Sequence, residues 1–284
     1  MISKYWINRI INNYKRNSFL KFITSIFDFF NKILNPKHTG EFPFKYLFLK
    51  KRKAIMKFAK HNLDQLDDNK ILNLGNYMFD LSKLNKNSIV YSFGVGTSIS
   101  FEEEVARAFK CKVYCYDPTS MAIEWINNNK YDDDSILFSP IGIWTKDGPI
   151  KFFAQETDDP KISGGSINNL FKSDKFEYLE CKKLKSFMEK NGHNKINLLK
   201  LDIEGAAIEV FKDMINDQIF PDQIIAEFEY SDDDDFVNLD FENWSSKLLD
   251  IIKEFKLNGY KCYYLPRFTH MAFSTIEICF IRND

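Results

Sequence analysis

The stretch from Ser88 to Asp117 limits what this chain can fold into more than any other part of it. An apolar run, Ile89 to Phe93, is rich in strand-forming residues and delivers Phe93 directly onto two glycines, Gly94 and Gly96. A helical pattern occupies Phe101 to Phe109, and a second short strand, Val113 to Tyr116, ends on Asp117. Two parallel strands need a crossover helix, so the segment reads as a βαβ unit. Glycines after the first strand let the backbone bend sharply and approach a ligand that a Cβ would exclude. Ser100 and Glu103 have the spacing of a capping box, which starts the helix there. Asp117, at the tip of the second strand, is placed to accept hydrogen bonds from both hydroxyls of a ribose. The unit is therefore expected to hold a nucleoside-containing cofactor. The bland alternative is a glycine turn without a ligand, capped by Asp117.

A dinucleotide site wants a pyrophosphate on the helix N-terminus and a third glycine for close packing. Ile99 stands where that glycine would fall, and Glu102, Glu103 and Glu104 crowd the first turn. Three carboxylates would repel a pyrophosphate. S-adenosylmethionine, with a sulfonium and an ammonium against one carboxylate, tolerates that acidity. A methyl donor is thus favoured over NAD.

The formal net charge of −1 hides an asymmetry. Residues 1–60 carry 14 Lys+Arg against 2 Asp+Glu, leaving 25 against 38 for the rest. Up to about Lys37 the chain reads as one or two amphipathic helices, with Phe19, Phe22, Ile23, Ile26, Phe27, Phe30, Ile33 and Leu34 at helical spacing. No uncharged run approaches the ~18 residues of a membrane span, and a signal peptide's clean apolar core is missing. The segment either lies on an anionic membrane or packs against its own domain or a twin subunit. Residues 1–70 are accordingly read as a basic helical extension and 71–284 as the main domain, with the pattern from Phe44 to about Leu84 helical. Five cysteines without C-x-x-C spacing argue for reduced, buried thiols, no metal site and a cytoplasmic protein, with peripheral contact at the inner face of a membrane as a variant. The acidic balance of residues beyond 60 argues against a nucleic-acid partner.

After Asp117-Pro118, Ser120 to Asn127 suits a helix, and Ile136 to Ile141 a third strand. Ile141, Gly142 and Ile143 are candidates for the adenine side of the site. Lys146-Asp147-Gly148 reads as the turn of a hairpin with Pro149 to Ala154, and Ser163 to Ser166 as a lid or an ordinary loop. The second informative stretch is Ile196 to Phe211, where an apolar strand ends at Asp202 and a helix starts after Gly205. Lys200 and Asp202 share strand parity and point to one face. Ligands of open α/β sheets bind outside the carboxyl ends of the strands, where Asp202 and Glu204 lie. A further strand, Gln223 to Glu229, brings Glu227 and Glu229 to its own end; plain helix caps are the competing explanation. The acidic run Asp232 to Asp235 and His270 read as surface features. Phe241 to Lys256 is a helix, and Gly259 to Leu265 and Met271 to Arg282 a final antiparallel pair.

The motifs Tyr-Ser-Phe-Gly-Val-Gly at 91–96, Ser-Phe-Glu-Glu at 100–103, Tyr-Asp-Pro at 116–118, Leu-Leu-Lys-Leu-Asp-Ile-Glu-Gly-Ala at 198–206 and Ala-Glu-Phe-Glu at 226–229 resemble the FkbM-type S-adenosylmethionine-dependent methyltransferases, in their methyltransferase-like branch. The resemblance covers about residues 85 to 230. It implies a class I methyltransferase, Rossmann-like α/β fold with a mostly parallel seven-stranded sheet and helices on both faces. It also implies O-methylation of a hydroxyl, with glycans and secondary metabolites as typical acceptors. Carried onto this chain, Gly94 and Gly96 match the cofactor turn, with the small Ser98 at its third position, and Asp117 the ribose position; Phe93 and the strand-end candidates Gly142 and Ile143 complete the expected cofactor site. Asp202 and Glu204 match the catalytic-face block, and Lys200 and Glu227, read from their strand positions, complete the expected catalytic set. The chain departs from the pattern at Glu229, where many relatives have a histidine, and at Ala207, where they are acidic. The expected chemistry has Asp202 accepting the hydroxyl proton or holding the group that does, Glu204 and Glu227 orienting the acceptor, and Lys200 pairing with them. An NAD-dependent oxidoreductase and a non-catalytic scaffold stand as the alternatives.

Overall fold

A computed structural model describes residues 53–64, 71–74, 77–132, 134–154, 165–168, 174–229, 241–265 and 275–283. The helices expected before Lys37, residues 163–164 of the expected lid, the acidic run Asp232–Asp235 and His270 lie outside the described residues.

The β3 strand (Val90–Phe93), helix α2 (Ser100–Phe109) and β4 (Val113–Tyr116) form the expected βαβ unit, followed by α3 (Ser120–Asn128) and β5 (Ile136–Ser139). The second half runs α4 (Leu184–Asn191), β10 (Leu198–Leu201), α5 (Ala207–Asn216), β11 (Gln223–Glu229), α6 (Phe241–Leu257), β12 (Tyr260–Leu265) and β13 (Thr275–Arg282). These strands make a seven-stranded sheet in the order β12-β13-β11-β10-β3-β4-β5. Among these described strands β13 alone runs opposite in direction to the other six. The fold implied by the resemblance is therefore present. Because β3 leads outward to β4 and β5, while β10 leads the other way to β11, the strand order reverses between β3 and β10. That reversal opens a crevice at their carboxyl ends.

Strand alternation sorts the core into two layers. Tyr91, Phe93, Leu199, Leu201, Ile224 and Phe228 face one way, under α4, α5 and α6. Val90, Val113, Cys115, Leu198 and Ile225 face the other, under α2 and α3. A helix through 53–62 (α1) adds Ile55, Phe58 and Ala59 to the first layer, with Phe58 edge-on to Phe241. All five cysteines are free and buried, four of them in strands.

Two local expectations fail. Residues 71–80, read as helical, instead form an antiparallel pair, β1 (Ile71–Leu74) with β2 (Tyr77–Asp80). The dipeptide Gly75-Asn76 between two apolar runs is a hairpin signal that the helical reading passed over. The pair is tied to the main sheet by the buried Gln223, whose Oε1 accepts from the Asp80 N–H at 2.7 Å and whose Nε2 donates to the Asp80 carbonyl at 3.0 Å. Secondly, no hairpin closes across Lys146 to Gly148. A separate four-stranded sheet forms in the order β6-β9-β7-β8, from β6 (Gly142–Ile143), β7 (Gly148–Ala154), β8 (Gly165–Ser166) and β9 (Phe176–Lys182). The strand β9 takes the place expected of β6 along β7, with a six-residue ladder from Cys181 back to Phe176, and β6 pairs instead with the end of β9 at Cys181 and Lys182.

The glycine bend carries a steric demand that can be measured. Gly94 (φ +77°) and Gly192 (φ +70°) are both left-handed, but a Cβ on Gly94 would lie 1.6 Å from the Asp202 carbonyl oxygen and one on Gly192 would meet nothing within 4 Å. Gly192→Ala should cost about 1 kcal/mol, from backbone strain alone. Gly94→Ala should cost about 3 kcal/mol or more, because two strand ends must separate. Urea unfolding of the two variants checks the difference.

Candidate active site

The crevice between β3 and β10 holds an open cleft of about 230 Å³. Of the expected cofactor residues, Phe93, Gly94, Gly96, Asp117, Gly142 and Ile143 line it, as do Asp202 and Glu204. Ser98 does not: it is exposed, and its hydroxyl pairs with that of Ser100 at 3.1 Å. The capping box is also absent. Helix α2 is capped by Ile99 without a side-chain bond, because Ser100 already lies inside the first turn. Sequence reasoning missed the apolar wall supplied by Tyr116, Pro118, Met121, Phe152 and Ile167. Phe152 and Ile167 reach the cleft only through the β6–β9 sheet, which no local pattern announces.

The two glycines serve different ends. Gly94 is demanded by the neighbouring strand end rather than by a ligand, as its near-contact with Asp202 shows. Gly96 (φ +54°) has nothing within 4 Å of where a Cβ would stand, so the loop presents bare backbone to open space there. Its N–H donates to Asp117 Oδ2 at 2.9 Å. Asp117 Oδ1 accepts from the Thr119 N–H at 2.9 Å and its hydroxyl at 2.6 Å. A carboxylate has about four acceptor directions, and three are used here. Asp117 thus pins the glycine loop to the start of α3 and keeps about one direction for a ligand hydroxyl, where two had been expected. The cleft accordingly offers a flat apolar wall, a bare backbone loop and an acidic edge. These fit the adenosine and the sulfonium of S-adenosylmethionine: Gly96, Asp117, Gly142, Ile143 and the apolar wall would hold it.

The acidic edge is built on a buried cation. Lys200 lies within 3.5 Å of the Gly94 carbonyl and 3.8 Å of both Glu102 Oε1 and Asp202 Oδ2. Burial alone would lower its pKa, but Glu102, Tyr77 and Asp202 outweigh that and hold it above the ordinary lysine value. Lys200 and Asp202 do share a face, as parity predicts, although Lys200 does not line the cleft. Glu102, one of the three glutamates counted as crowding the helix start, turns inward instead. It is 1% exposed and accepts from the Ser92 hydroxyl at 2.6 Å. The acidity facing a cofactor at that helix is smaller than the sequence suggests. Tyr77, from the unforeseen β1–β2 pair, donates to Asp202 Oδ2 at 3.4 Å and holds its ring 5.2 Å from the Lys200 ammonium.

Beyond Asp202 the charges are alike. Glu204 is lifted from the ordinary 4.5 to about 7, first by burial, then by Asp202 and Glu227. Glu229 is pushed well above the ordinary value by burial and by Glu227, Glu204 and Asp202, against an opposing bond from the Gly205 N–H at 2.7 Å. Glu227 stays out of the cleft lining, half-buried and opposite Glu277 in the β11–β13 register. Among the described residues no His, Cys, Asp and Glu group is arranged to hold a metal ion, and no helix is long and apolar enough to cross a membrane.

Because the folded pKa of Glu204, about 7, and that of Glu229 both lie above the unfolded 4.5, this cluster costs the fold nothing below about pH 4.5 and opposes folding increasingly as pH rises above it. Glu229→Gln keeps the acceptor for Gly205 and removes a charge. Its thermal midpoint at about pH 8 should exceed the wild type's by a few degrees, with the two converging near pH 5. Thermal scans across that range test this.

A family profile described as the methyltransferase FkbM domain matches residues 82–262, well over half the chain. No curated protein matches it in sequence. Similar solved structures include an rRNA methylase from Streptococcus thermophilus, at 10% identity over 72% of this chain and 91% of that one, with a TM-score of 0.39. A precorrin-6y C5,15-methyltransferase from Geobacter metallireducens has 10% identity over 76% and 97%, with a TM-score of 0.37. Aeropyrum pernix fibrillarin, with natively bound S-adenosyl-L-methionine, has 9% identity over 72% and 70%, with a TM-score of 0.39. Kinship rests on the family match, which spans the glycine loop, Asp117 and the acidic ends of β10 and β11: the chain belongs to the FkbM-domain family of S-adenosylmethionine-dependent methyltransferases.

Proposed function

We propose that this chain methylates a hydroxyl group, most simply of a sugar or glycan, and that Glu204 accepts the hydroxyl proton. S-adenosylmethionine, when bound, supplies a methyl group made electrophilic by its sulfonium. A sugar hydroxyl is a poor nucleophile, so its reaction gains from a base whose pKa lies near the working pH. The observation that carries the reading is Glu204, a residue that lines the cleft and whose carboxyl is raised to about 7. Asp202, the base expected from sequence, already has its Oδ2 engaged by Lys200 and Tyr77. In this reading it orients the acceptor beside Glu204, while Lys200 balances charge from below. Glu227 acts on Glu204 through its field and does not touch the acceptor. Phe152 and Ile167 add apolar surface to the same cleft as the carboxylates, which suits a sugar ring with one C–H face and hydroxyls at its edge.

We also propose that the basic segment of residues 1–60 makes a peripheral contact with an anionic membrane or with a second copy of the chain, on the strength of its charge and amphipathic spacing. A cytoplasmic location belongs to the same proposal.

Glu204→Gln should lower kcat by about a hundredfold or more and leave the Kd for S-adenosylhomocysteine within about twofold. In the wild type, kcat/KM should rise with pH and reach half its plateau near 7, since the ionised form is the active one. Labelled methyl donor with a panel of neutral glycosides, oligosaccharides and lipid-linked glycans provides the assay. Undiminished turnover in Glu204→Gln would remove the base from this carboxyl.

A further inference from the structure

Glu204 sits in a backbone conformation that a non-glycine residue rarely adopts: its φ is +46°, and Gly205 follows at +81°. A left-handed residue with a Cβ costs about 1–2 kcal/mol and persists only where its surroundings impose it. Within the turn the Ala206 N–H donates to the Ile203 carbonyl at 3.2 Å, and three hydrogen bonds from outside it hold it in place. The Gly205 N–H donates to Glu229 Oε2 at 2.7 Å, from the main sheet. The other two come from the separate four-stranded sheet and its following turn. The hydroxyl of Ser166 donates to the Glu204 carbonyl at 2.8 Å, and Nδ2 of Asn168 donates to the Gly205 carbonyl at 2.7 Å. Ser166 is fully buried, so its hydroxyl is committed to that carbonyl rather than shared with water. Its position is fixed in turn by pairing of β8 with β7, where Ser166 stands opposite Phe153. The same four residues alternate in what they do: Gly165 and Ile167 line the cleft, while Ser166 and Asn168 grip the turn that bears Glu204.

We propose that Ser166 and Asn168 are positioning residues, which hold the Glu204 turn left-handed and keep its carboxyl aimed into the cleft. A ligand pressed against Gly165 and Ile167 then bears on the same segment that aims the carboxylate. The inference rests on the base role proposed for Glu204 only for its effect on rate; the clamp itself is a statement about where that carboxyl stands. The charged groups facing it are Asp202 on the end of β10 and Glu227 and Glu229 on β11, with Lys200 reaching it through Asp202 and the Tyr77 hydroxyl on the far side of Asp202. Without the two donors the turn relaxes and the carboxyl swings toward water. Its largest perturbation, burial, is then relieved.

The test is the titration of the Glu204 side-chain carboxyl followed by NMR in the full chain, in the wild type, in Ser166→Ala/Asn168→Ala and in Ser166→Thr. The wild type should titrate near 7. The double variant should titrate at least about one unit lower. Ser166→Thr, which keeps the hydroxyl, should follow the wild type. In turnover with the labelled donor, kcat of the double variant should fall about a hundredfold, as misplacement by an ångström does, with the Kd for S-adenosylhomocysteine within about twofold. A titration midpoint that stays where it was overturns the clamp whatever the turnover does. So does a double variant that loses S-adenosylhomocysteine binding in step with activity, since the damage then extends beyond the turn. Should Glu204→Gln remain active, the base role fails on its own, and the titration still decides the clamp.

Discussion

The contact on which the site depends is one of backbone against backbone. The end of β3 and the end of β10 come so close at Gly94 that the Asp202 carbonyl occupies the place of a Cβ. The Asp202 N–H donates to the Phe93 carbonyl at 3.1 Å, and the Gly94 N–H to the Tyr116 carbonyl at 2.9 Å. Three neighbouring strands are thereby laced together just past their last paired residues. This is also the point where the strand order reverses, so the lacing sets the floor of the crevice without filling it. A cofactor loop and an acidic turn, far apart in sequence, become two walls of one cleft.

The electrostatics follow from that closeness. Lys200 and Glu102 are both buried, and each would be costly alone. Together with Ser92 and Asp202 they form a connected set in which the buried cation is shared between two carboxylates. Past Asp202 the carboxylates face one another. Burial and like charge raise Glu204 and Glu229 together, and their protons belong to the group as much as to either residue. Such a cluster works against folding at neutral pH. It persists because β11, the Gly205 turn and the Ser166–Asn168 segment hold it from three sides, a stored strain of the sort that active sites retain.

Much of the architecture was legible beforehand, for identifiable reasons. The strands Val113–Tyr116 and Gln223–Glu229 were read to their boundaries, because apolar runs bounded by turn residues and charged tips have one simple interpretation. The glycines, Asp117, Gly142, Ile143, Asp202 and Glu204 were read as a site and do share a cleft. Residues 71–80 were misread because four-residue strands carry little periodicity, and the Gly75-Asn76 signal between them was absorbed into a longer helical pattern. That error concealed Tyr77. Ser98 was assigned by its smallness, yet smallness says nothing of which side of the loop a residue occupies.

What the sequence by itself determined is the frame: an α/β sheet whose strand tips carry glycines and carboxylates, since alternation and turn chemistry are local and each residue announces its own preference. Which of those carboxylates faces the cleft, which is spent on a lysine, and which is lifted toward neutrality was decided by the tertiary structure alone. Glu102, Glu204 and Glu229 are the same residue chemically. They differ in depth of burial, in the charges brought near them and in the strands that hold them, and burial and proximity are properties of the packed chain that no stretch of residues possesses beforehand.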